Sequence, residues 1–154
     1  ERQTPSYRTA GQPLASVSEL RSVAGVTPEI YAALVPFVTV WPKEGSVLNV
    51  LTASATVLRS LPVDDLLEPL PKEEGLRLVE ARAEGFIFSV ETLLEDALFS
   101  GPGGDDLAAL LGERSDWFLL SASVEIAERE LHLYSVLERE RGSVFSRYRS
   151  QGEL

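Results

Sequence analysis

Cysteine and methionine are absent from all 154 residues, and histidine occurs once. Without thiols the chain can form no disulfide, no thiolate zinc site and no cysteine nucleophile, although the missing cysteine says nothing of compartment. With no Met even at position 1, a chain that begins Glu1-Arg2-Gln3-Thr4-Pro5 reads as a soluble piece excised from a longer protein, its own start lying upstream. Positive charge is scarce as well. Fourteen Lys and Arg stand against 24 Asp and Glu, a formal net charge of −10, which repels phosphate backbones and anionic membrane surfaces. No run approaches the roughly 20 apolar residues of a spanning helix, and no signal peptide opens the sequence. What is present is a folding composition, 44% hydrophobic, at a length that fits one domain or a domain with an added piece.

The first specific stretch lies at 47–62. An apolar run interrupted by Asn49 leads into Thr52 and Ala53; the Thr52 hydroxyl is placed to cap a helix that Ala53 and Ala55 favour, and Pro62 ends it. Val57, Leu58 and Leu61 fall on one helical face. Upstream, residues 1–13 read as an extended lead-in. Ser16 and Glu19 then stand at capping-box spacing, Val17, Leu20 and Val23 make an apolar face, and Gly25 closes the helix in a left-handed conformation. Thr27-Pro28-Glu29 opens a second helix with a cap, a proline at the first position and an early negative charge. Residues 37–42, β-branched and aromatic, read as extended.

Residues 72–82 form a further helix with Leu76, Leu78 and Val79 inward, closed near Gly85. Ser89-Val90-Glu91-Thr92-Leu93 repeats the register of Ser16-Val17-Ser18-Glu19-Leu20, suggesting two equivalent helix starts. A glycine-rich break at 100–106 precedes a short helix at 107–111, and then the period changes. Phe118, Leu120, Ala122, Val124 and Ile126 alternate with Trp117, Leu119, Ser121, Ser123 and Glu125, which is strand spacing with one apolar face. A turn at 127–130, a strand at 131–137 and a shorter one at 143–149 complete an antiparallel meander. Its apolar face needs a cover, expected from a long helix upstream of Glu1. The fold class is therefore α+β: a mostly helical part over 1–112, with strands over 113–154.

Catalytic chemistry finds little support. His132, the only histidine, lies in an expected strand, no serine sits in a Gly-x-Ser-x-Gly elbow, and Gly101-Pro102-Gly103-Gly104 lacks the lysine of a phosphate loop. Asp105, Asp106 and Asp116 offer hard oxygen ligands beside a glycine turn, which suits calcium, though not at EF-hand spacing. The paired short helices also fit a SAM-like or helix-hairpin-helix nucleic-acid-binding module. Against that, the hairpin at Gly25 lacks a second glycine two residues on, and Asp64 and Asp65 would face the phosphates after Pro62. A helical fold used for protein contacts, with no nucleic acid bound, suits the charge better.

With all elements placed, the chain resembles the K-type minor pseudopilins of type II secretion systems. The resemblance rests on 16–28, 31–42 and 48–58, with Phe86-Ile87-Phe88-Ser89-Val90 and Ser115-Asp116-Trp117-Phe118 as later signatures. Ser16, Glu19, Gly25, Thr27, Pro28, Asn49, Thr52 and Ala53 are its structural motif residues; Leu51 stands where the family has a second Asn. The resemblance implies a pseudopilin fold in which an N-terminal hydrophobic helix packs on an antiparallel sheet and a helical domain is inserted between strands. It further implies a non-catalytic tip subunit that assembles with I- and J-type minor pseudopilins, initiates the pseudopilus and supports protein export. Such a subunit is periplasmic, anchored in the inner membrane by a helix outside this chain, able to bind calcium and open to contact with exported proteins.

Overall fold

The computed structural model describes residues 11–43, 45–63, 68–99 and 104–151, with backbone alone at 104 and 105. Residues 1–10 of the expected lead-in, Asp64 and Asp65, and most of the glycine break at 100–106 lie outside the described residues. The chain is α+β, with helical elements as far as Ala108 and an antiparallel three-stranded meander after them.

At the first helix start, the Ser16 hydroxyl accepts from the Ser18 amide at 3.2 Å and the Glu19 carboxylate accepts from the Ala15 amide at 3.1 Å. Both bonds sit one residue closer to the N-terminus than in a capping box, and the helix is a tight 3-10 segment, Val17–Ser22. Its expected inner face is not buried: no residue of the segment is, and Val23 is 44% exposed. Gly25 turns the chain with φ +88, a conformation that costs glycine no Cβ clash. Thr27 then accepts from the Ile30 amide at 3.3 Å, and Pro28 opens α1 (Pro28–Leu34). The extended stretch expected at 37–42 starts one residue late, with Val38 extended at φ −123 and ψ 149. Phe37 belongs to a 3-10 turn, Val35–Phe37, and the residues after it run outside any sheet, among the described residues, to a cis Trp41-Pro42 bond.

The core lies around the Asn49 stretch. Strand β1 (Leu48–Asn49) pairs in parallel with β2 (Leu111–Gly112), Leu48 opposite Leu111. This bridge takes Leu111 out of the helix expected at 107–111; the helix there, Gly104–Ala108, ends sooner. The next helix, α2 (Ala55–Leu58), is capped by Ser54, whose hydroxyl accepts from the Val57 amide, and not by Thr52. The amides of Thr52 and Ala53 both donate to the Asn49 carbonyl, and that turn delays the helix by two residues. Helix α3 (Lys72–Ala83) buries Gly75 and Leu78, whereas Leu76, expected inward, is 53% exposed. Positions 75, 78 and 82 share one helical face, and that face is set by the contact with α2: a Cβ on Gly75 would lie 2.6 Å from the Ala55 carbonyl oxygen.

Helix α4 (Val90–Leu94) starts with a complete capping box between Ser89 and Thr92, so both copies of the Ser-Val phrase begin helices. Gly104–Ala108 is α5. Val50, Leu58, Leu78, Leu93, Phe99 and Leu107 belong to the same buried cluster.

The meander consists of β3 (Trp117–Ile126), β4 (Arg129–Glu140) and β5 (Ser143–Gln151), in that spatial order. The first turn is tighter than expected. Ala127 and Glu128, at φ 47 and 65, make it alone, and Arg129 and Glu130 already pair in β4. Left-handed two-residue turns match the twist of the strands they join. Phe118, Leu120 and Val124 share a face with Leu137 and Leu131, as the alternation predicts, and Val124 is half exposed there. On the opposite face Val136 is buried, beneath a stack of Trp41 on Trp117 with ring centroids 5.9 Å apart.

Candidate functional site

Asn49 is the joint between the helical part and the sheet. Its carboxamide oxygen accepts from the Leu51 amide at 3.0 Å, which shapes the turn ahead of α2, and its Nδ2 donates to the Ser115 hydroxyl at 3.0 Å. A polar side chain inside an apolar run is retained where both ends of its amide find partners. Ser115 and Asp116 are in turn tied to the sheet. The Arg139 guanidinium donates to the Ser115 carbonyl at 2.9 Å and to the Asp116 carboxylate at 3.2 Å, and the Arg139 amide donates to the Asp116 carbonyl at 2.7 Å. From the helical side, Arg82 reaches the carbonyls of Val50 and Ala53 at 3.0 and 2.8 Å. The loop 50–53 is thus held between α3 and the base of β3.

Thr52 and Ala53 lie beside this joint, Ala53 buried and Thr52 exposed. Ser16, Glu19, Gly25, Thr27 and Pro28 order the hairpin before it, so the structure divides the motif residues into two groups. Sequence reasoning missed Ser115 and Arg139 as the partners of the Asn49 joint. The polar interruption at Asn49 was the one available signal that a distant partner exists.

Of the acidic candidates, only the side chains of Asp106 and Asp116 are among the described residues. Among the described residues no three His, Cys, Asp or Glu side chains could together hold a metal ion. Asp106 is exposed, Asp116 is engaged by Arg139, and the Asp105 side chain lies outside the described residues. His132 is half exposed, with its Nε2 3.5 Å from a Glu130 carboxylate oxygen. No nucleophile-and-base pair involving it is seen among the described residues.

Comparison with known proteins accounts for this scaffold. A family model described as type II secretion system (T2SS), protein K, matches residues 1–43. Type II secretion system protein K of Klebsiella pneumoniae is 30% identical over 142 residues, covering 90% of this chain and 42% of that protein. The chain is a relative of protein K. The K protein of Pectobacterium carotovorum subsp. carotovorum is 28% identical over 134 residues, covering 85% of this chain and 40% of its own length. The chain therefore spans about two fifths of the length of these K proteins. A solved structure described as the GspK-GspI-GspJ complex of the enterotoxigenic Escherichia coli type 2 secretion system contains a chain of the same fold. Its TM-score is 0.70 at 23% identity, over 99% of this chain and 53% of that one. Among the described residues, no helix is long and apolar enough to cross a membrane.

Proposed function

We propose that this chain is part of a K-type minor pseudopilin, a non-catalytic structural subunit at the tip of the type II secretion pseudopilus. It assembles there with I- and J-type subunits to initiate the pseudopilus and support protein export across the outer membrane. On this reading the region described is periplasmic, and the whole protein is anchored in the inner membrane by a helix outside these residues. The observation that supports it most is the fold shared over 99% of the chain with a structure described as a K–I–J complex. A scaffold joined through Asn49 rather than built around convergent reactive groups agrees with a role in assembly. A calcium ion held by Asp105, Asp106 and Asp116 belongs to the same proposal.

The test is light scattering after size exclusion, on this chain alone and mixed with the soluble I- and J-type domains of the same secretion system. A complex containing one copy of each is expected. Separate elution of all three, repeated with the longer periplasmic region, overturns the tip assignment. For calcium, the expected outcome is a higher unfolding temperature in calcium than in chelator, lost in Asp105→Asn/Asp106→Asn.

A further inference from the structure

We draw no further inference here: the strongest candidate, the surface patch of Phe86 and Phe88 on the loop between α3 and α4, 69% and 66% exposed, carries nothing, because the chain spans about two fifths of the length of its K-protein relatives and nothing in the structure shows what covers that patch.

Discussion

Asn49 and Ser115 are 66 positions apart in the chain and hydrogen-bonded side chain to side chain at 3.0 Å. Through this pair the turn that starts α2 is fixed to the residues that start β3, so the helical part and the sheet share one polar contact at their junction. Nearby, β1 and β2 add a short parallel bridge, Asn49 opposite Gly112. The joint is also tight: a Cβ on Gly112 would lie 2.6 Å from a Val47 methyl.

Asn49→Ala is expected to destabilise the protein by about 1–3 kcal/mol, because the Leu51 amide and the Ser115 hydroxyl both lose a partner in a partly buried place. Asn49→Asp keeps the acceptor for the Leu51 amide and loses the donor to Ser115, so its cost should be smaller. Urea unfolding of the three proteins measures the order, and equal stability of Asn49→Ala and the parent would show that the joint carries no weight.

The cap of α2 gives a sharper comparison. Ser54→Ala should cost about 1 kcal/mol, the usual loss when a capping hydroxyl is removed. Thr52→Ala, at an exposed residue that caps nothing, should fall within about 0.5 kcal/mol of the parent. Thermal denaturation of the two variants side by side checks this, and the reverse order would return the helix start to Thr52.

Gly75→Ala is expected to destabilise despite the higher helix propensity of alanine. The added methyl meets the Ala55 carbonyl oxygen and the Arg59 Cβ at 2.6 and 3.2 Å, and overpacking of this kind costs about 1–3 kcal/mol against a propensity gain of about 1. Glu80→Ala, at an exposed position of the same helix, is the control and should be near neutral. The difference in unfolding midpoint between the two variants is the measurement.

The Arg77–Asp96 pair predicts a pH dependence. The Arg77 guanidinium bonds both carboxylate oxygens of Asp96 at 2.9 Å, and Glu74 at 2.7 Å. The Arg77 hydrogen bonds hold the Asp96 carboxyl below its ordinary value, while Arg77 itself is raised and stays charged. A lowered carboxyl contributes stability that is present above the unfolded-state value, near pH 4, and is lost as pH falls through the folded-state value. With the Arg77 side chain 45% exposed, solvent screening limits the effect to about 1 kcal/mol. Asp96→Asn should therefore be less stable than the parent at neutral pH and approach it in acid. A gap that widens in acid would contradict the pair's role.

Where structure is set by residues a few positions apart, the sequence was readable. Ser16, Thr27 and Ser89 all cap helices, Gly25 and Gly85 take positive φ, and the alternation from Trp117 to Ile126 is a strand. Each of these depends on local backbone sterics, on hydrogen bonds spanning two to four residues, or on side-chain period. Tertiary contact decided the rest. Leu76 is as apolar as Leu78, yet only Leu78 is buried, because the α2 backbone approaches α3 along Gly75. Leu111 carries no strand signal of its own and joins β2 because Leu48, 63 positions earlier in the chain, offers it a partner. Ser115 gave no sign of binding Asn49, and Val38, Thr39 and Val40, β-branched as they are, find no strand beside them among the described residues. Local rules tell which conformations a residue favours; which neighbour arrives from far along the chain is settled by burial of the core as a whole, and that information is distributed over many residues at once.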